Sequence, residues 1–110
     1  MTQLQQAVID LLGAEVAFNH ELTAAMVHQG SEQRIAGFLV SLSRRLHRRG
    51  APSLEFNMAM SRSDIGNYLG LAGETVSRTL TRFQKKGLIR VNHKRMTLLD
   101  IEVLARVASE

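Results

Sequence analysis

From Ser61 to Lys86, apolar residues recur at helical spacing in two short runs separated by a corner. Ile65, Tyr68 and Leu69 make the first run. Ser61, with Asp64 three places on, supplies the pairing of a capping box, so a helix is expected to begin there. Gly70 is suited to end it, because a left-handed residue is adopted most easily without a Cβ. Leu71, Ala72 and Gly73 then form a tight turn. Over 73–86 a second helix is expected, with Val76, Leu80 and Phe83 along one face and Glu74, Ser77, Arg78, Thr81, Arg82 and Lys85 over the rest. Two helices joined by three or four residues, the second polar from its first turns, have the pattern of a helix-turn-helix. The competing explanation of this stretch alone is a pair of ordinary helices with solvated charges.

The flanking pattern supports the first explanation. Residues 2–29 contain no Pro and a single Gly, at position 13, which predicts a helix of about 40 Å at 1.5 Å per residue. It carries two apolar stripes. One comprises Ile9, Leu12, Val16 and Met26, with Asn19 and Thr23 between; the other comprises Leu4, Val8, Leu11, Phe18, Leu22 and Ala25, interrupted by Glu15. A helix apolar on two sides needs two partners, so a second copy of it and a further domain are expected. The stripe of Ile9, Leu12, Val16, Asn19 and Met26 is assigned to dimerisation, with Asn19 as a polar seam residue that sets register. The alternative is that Asn19 is solvated and the other stripe makes the contact.

Gly30 ends that helix and Ser31 is expected to cap the next, which runs to about Arg49 and buries Ile35, Phe38, Leu39, Leu42 and Leu46. Arg34, Arg44, Arg45 and Arg48 lie largely on its other sides, and Gly50, Ala51 and Pro52 stop it. Strict alternation over 54–60 predicts a half-buried strand with Leu54, Phe56, Met58 and Met60 inward. After Gly87, strands near 88–91 and 96–99 flank a basic tip at 92–95, the pattern of a hairpin. Asp100 then caps a short helix whose Ile101, Leu104 and Val107 or Ala108 pack back. The predicted fold is mainly α with a small antiparallel β component: a winged helix-turn-helix over 30–110, preceded by a long dimerisation helix over 1–29.

Charge sharpens the picture. Residues 1–30 hold three acids and no Lys or Arg, whereas residues 31–99 hold thirteen Lys and Arg against four acids. The basic block therefore coincides with the helix pair and hairpin, as a polyphosphate partner requires. The chain has no cysteine. That excludes disulfides and thiolate metal sites within it and is compatible with a reducing cytoplasm. No uninterrupted apolar run is long enough to span a membrane, and no basic region precedes the first apolar residues as in a signal peptide. His20, His28, His47 and His93 fall in separate elements without acidic or thiol companions at metal spacing, so no metal site is expected. With no nucleophile elbow, Gly-rich phosphate loop or paired carboxylates, catalysis is not expected either.

Within the second helix, Glu74, Ser77 and Arg78 at i, i+3 and i+4 share a face in the turns that reach deepest into a major groove. Arg donates twice to guanine, Glu accepts from the cytosine amino group, and Ser does either, so these three are the candidate base readers. For Glu74, attraction to the helix dipole is a competing explanation. Ser61, Thr75, Arg82, Lys85, Lys94 and Arg95 are the candidate phosphate contacts, which position a domain without carrying sequence information.

Ile65-Gly66-Asn67-Tyr68-Leu69-Gly70-Leu71, Glu74-Thr75-Val76-Ser77-Arg78 and Arg82-Phe83-Gln84-Lys85-Lys86-Gly87 together resemble the DNA-binding domain of the Crp/Fnr transcription regulators, on the Fnr side. The likeness extends to Gln33-Arg34-Ile35-Ala36, Leu42-Ser43-Arg44-Arg45 and Arg49-Gly50, and is weak over the first 25 residues. It implies a homodimer paired through the long helix and double-stranded DNA as partner. Glu74, Ser77 and Arg78 would then read a TTGAT-like half-site in an inverted repeat. Gly73 departs from the bulkier residue common there, which is expected to loosen the first turn. The resemblance also implies that the loop 49–53 contacts RNA polymerase. A β-roll sensor precedes the long helix in that family, so this chain looks like the C-terminal portion of a regulator. No cofactor is expected in this chain itself, and any effector or iron–sulfur cluster would belong to the sensor. The rival function is a winged helix that binds an acidic protein.

Overall fold

Ile35, Phe38, Leu39, Leu42 and Leu46 are spaced by three and four because they line one side of a helix, and α1 (Ser31–Arg48) buries all five. The computed structural model describes residues 30–110. The expectations placed on 1–29, namely the long helix and dimer contacts through Ile9, Leu12, Val16, Asn19 and Met26, fall outside the described residues. After α1 come β1 (Glu55–Asn57), α2 (Arg62–Leu69), α3 (Gly73–Lys85), β2 (Ile89–Asn92), β3 (Arg95–Leu98) and α4 (Ile101–Ser109). This is the winged helix-turn-helix order that the pattern predicts.

Two expectations about boundaries need correction. The cap of α1 is Gly30, without a side-chain hydrogen bond, and Ser31 is the first helical residue. Its hydroxyl instead lies 3.4 Å from the Thr79 hydroxyl. The strand expected over 54–60 is only three residues long, although Leu54 O still accepts from Leu98 N (2.7 Å) and Met58 N donates to Lys94 O (2.6 Å). Its one partner among the described residues, β3, has four residues, so pairing runs out at both ends. Phe56 and Met58 are buried as expected, but Leu54 is 47% exposed and Met60 only half-buried.

The three strands are antiparallel in the order β1-β3-β2. Phe56 opposite Met96, and Ile89 opposite Leu98, put four apolar side chains on the covered face. Val76, Leu80 and Phe83 of α3 join the same core, with Phe83 completely enclosed. Asp100 caps α4 through Val103 N (3.2 Å), and α4 buries Leu104 and packs on α1, where Ala108 approaches Gly37.

The corner between α2 and α3 is closely packed. Ser61 and Asp64 form the reciprocal cap (3.0 and 3.3 Å) that starts α2. Gly70 ends it at φ 72°, and the N–H groups of Gly70 and Leu71 both donate to Gly66 O. Phe38 of α1 meets Tyr68 of α2 edge to face, with centroids 5.5 Å apart.

Gly66 sits inside α2, where helix propensity alone favours alanine by about 0.5–1 kcal/mol. Here an added Cβ would collide with the Leu71 carbonyl oxygen, a backbone atom that cannot move without opening the corner. The clash outweighs propensity. Gly66→Ala is expected to lower stability by about 1–3 kcal/mol in a urea titration. An unchanged or raised midpoint would show that the corner relaxes freely.

Candidate nucleic-acid interface

Because Val76, Thr79, Leu80 and Phe83 occupy the buried side of α3, the opposite side must face solvent. Glu74, Ser77 and Arg78 are all exposed there. Arg78 Nη2 donates to Glu74 Oε1, and both side chains remain 71% exposed. A pair in this order, acid four residues before the base, is worth only about 0.2–0.5 kcal/mol at a helix surface. It orients the guanidinium without committing it.

The start of α3 rests closely on the start of α2. A Cβ at Gly73 would lie 3.1 Å from Ser63 Oγ and 3.3 Å from Ser63 Cα, so the small residue permits a close approach there. Glu74 lies in the first turn, where the helix dipole favours a carboxylate. At the other end of the corner, Arg34 of α1 directs Nη1 toward Leu69 O (3.4 Å), placing a cation at the C-terminus of α2.

The candidate phosphate contacts are distributed in three groups. Arg82 is shared with α1: its Nε donates to Glu32 Oε1 (3.0 Å) and its Nη2 to Thr79 Oγ1 (3.1 Å), while it stays 47% exposed. Lys86 Nζ lies 3.9 Å from the same carboxylate. Lys85 is exposed on the last turn of α3, and Thr75 is half-buried near its start. Lys94 is exposed in the two-residue turn of the hairpin, next to His93 at φ 56°. Arg95 is already in β3, where its Nη1 donates to Glu55 Oε1 (3.0 Å). Ser61 is exposed at the cap of α2, its oxygen accepting from Asp64 N. Thus Glu74 and Arg78 touch each other, whereas Arg82 and Arg95 reach back to neighbouring elements.

Three polar residues acquire roles that the pattern did not assign. Thr79 is completely buried and joins Ser31 to Arg82. Its position three residues after Val76 was a usable signal, since that spacing belongs to the buried face. Glu32 holds Arg82, and the Gln84 Oε1 accepts from Val91 N (3.2 Å), linking α3 to the hairpin. Neither contact has a local sequence signature. Among the described residues, no three His, Cys, Asp or Glu side chains are placed to hold a metal ion, and no helix is long and apolar enough to cross a membrane.

The model of the Crp-like helix-turn-helix domain matches residues 33–107. The chain is 42% identical over 110 residues to the transcriptional regulatory protein btr of Bordetella pertussis, covering all of this chain and 46% of that protein. It is 40% identical over 108 residues to the fumarate and nitrate reduction regulatory protein of Escherichia coli K12, covering 98% of this chain and 43% of that one. The chain therefore spans less than half the length of these curated relatives. Among solved structures, FixK2 from Bradyrhizobium japonicum superposes with a TM-score of 0.73 at 27% identity, over 94% of this chain and 50% of that one. A Crp/Fnr-family regulator from Eubacterium rectale shares the fold at TM-score 0.70 and 22% identity, over 96% of this chain and 46% of that one. With the domain match covering the corner, the second helix and the hairpin together, the chain belongs to the Crp/Fnr family through its Crp-like helix-turn-helix domain.

Proposed function

We propose that the chain binds double-stranded DNA sequence-specifically, as the DNA-binding part of a Crp/Fnr-type transcription regulator, with α3 in the major groove. The observation that carries this is the outer face of α3. Glu74, Ser77 and Arg78 project from a helix whose other side is locked in the core, and Arg82 and Lys85 follow in its last turn. The backbone that carries these groups is already ordered, so docking has only to fix their rotamers and release the Glu74–Arg78 pair. That release costs a few tenths of a kcal/mol, against about 1–3 kcal/mol for a bidentate Arg–guanine contact.

In this proposal Arg78 donates to guanine O6 and N7, Glu74 accepts from a cytosine amino group, and Ser77 bonds a neighbouring edge. The family likeness supports a TTGAT-like half-site in an inverted repeat, read by two copies of the chain. Residues 1–29 carry the dimer contact, through Ile9, Leu12, Val16, Asn19 and Met26. Lys85 and Lys94 hold the phosphate backbone directly, and Ser61 and Thr75 add contacts of their own. Arg82 and Arg95 are exposed enough to add phosphate contacts while tied to Glu32 and Glu55, because exposed ion pairs are weak. The loop 49–53 is assigned to RNA polymerase on the resemblance alone.

Gel-shift titrations of palindromic and scrambled duplexes at two salt concentrations test the proposal. Arg78→Ala is expected to weaken binding to the TTGAT palindrome by about 1–3 kcal/mol and to relax one base position. Lys94→Ala is expected to weaken both duplexes alike and to reduce the magnitude of the salt slope by about 1. Equal behaviour of the two variants would overturn the division of roles. Absence of any palindrome preference in the parent chain would favour a protein-binding winged helix.

A further inference from the structure

In an antiparallel sheet, alternate N–H groups of a strand point to its partner and the intervening ones point outward. β2 is an outer strand, paired on one side with β3 in the register Arg90↔Thr97, Val91↔Met96 and Asn92↔Arg95. The outward N–H of Val91 is taken by a side chain of α3: Gln84 Oε1 accepts it at 3.2 Å. The base of that side chain is itself firmly placed. Gln84 O accepts from Gly87 N (3.0 Å) and Phe83 O from Leu88 N (2.9 Å), closing the last turn of α3 directly before β2.

The hairpin is consequently held at both edges. On the β1 side Met58 N donates to Lys94 O (2.6 Å), and on the α3 side Gln84 holds Val91. Lys94 lies in the turn that follows the end of β2, one cross-strand pair beyond Val91. A change of angle at Val91 is passed on to the turn that carries Lys94, whose other side is held by Met58. We infer that Gln84 is a positioning residue of the DNA interface: it fixes the angle between the helix that reads bases and the hairpin whose tip holds phosphate. This deepens the proposed function and rests on it.

Gln84→Met keeps the length of the side chain and removes the carboxamide acceptor, so it is the diagnostic variant. With a duplex carrying two TTGAT half-sites and its scrambled counterpart, the salt dependence of binding is measured for the parent chain, Gln84→Met, Lys94→Ala and the double variant. Gln84→Met is expected to reduce the magnitude of the salt slope by about 1, as Lys94→Ala does, while preference for the palindrome persists. The double variant is expected to match Lys94→Ala, since a wing without its cation gains nothing from alignment. In the free chain, Val91 amide exchange is expected to be about three- to tenfold faster in Gln84→Met and unchanged in Gln84→Glu, which retains an acceptor. An unaltered slope in Gln84→Met, or independent losses that add in the double variant, would sink this role while leaving the DNA-binding proposal intact. A parent chain that binds both duplexes alike would instead sink sequence-specific binding and, with it, the role of Gln84.

Discussion

The burial of one side of α3 is the constraint from which the rest follows. Val76, Thr79, Leu80 and Phe83 are each no more than 3% exposed, so the helix cannot rotate about its axis without dragging large apolar groups into water. A fully buried Leu or Phe contributes about 1.5–3 kcal/mol each. Polar contacts on the outer face, worth a few tenths, cannot compete with that. The core therefore dictates which residues of α3 are displayed, and Glu74, Ser77 and Arg78 are displayed because they fall on the remaining arc.

Around that buried stripe runs a set of polar ties that fix position along and across the helix. Thr79 reaches the first residue of α1, Arg82 reaches Glu32, and Gln84 reaches β2. Each alone is modest. Together they join α3 to the elements on both sides, which is what a surface must have if side chains on different elements are to meet one rigid double helix. The three-residue gap between α2 and α3 reinforces this, since the Gly66 carbonyl accepts two N–H groups and leaves the corner no room for a side chain at Gly66.

How much of this was legible depended on whether the cause was local. The corner was, because the Ser61–Asp64 box and the left-handed Gly70 act within a few residues. Amphipathic spacing likewise revealed α1 and α3 and the large apolar residues along the buried side of each, though not the buried Thr79. The strand over 54–60 was overextended, because alternation reports which face is buried but not how long the partner strand is. Ser31 resembles a cap by residue type, yet the chain enters α1 with Gly30 in that place. Of the candidate site, the exposed face of α3 follows from periodicity, whereas the partners of Arg82 and Arg95 do not. Glu32 lies 50 residues from Arg82 and Glu55 lies 40 from Arg95, and no local pattern encodes such pairings.

Those distant pairings bear on what the cations can do. An arginine bound by a buried carboxylate would be lost to a phosphate, because separating the pair would leave a desolvated charge behind. Arg82 and Arg95 are different: their partners Glu32 and Glu55 are 31% and 49% exposed, and water can replace either partner. Such pairs hold the guanidinium near one place at little energetic depth. The same carboxylates also lower the local positive potential, so these two arginines attract phosphate less than their formal charge implies. Lys85 and Lys94 meet no such carboxylate among the described ion pairs. In the proposed complex, attraction to the phosphate backbone is therefore weighted toward the two lysines, while the arginines divide their charge between phosphate and the carboxylates beside them.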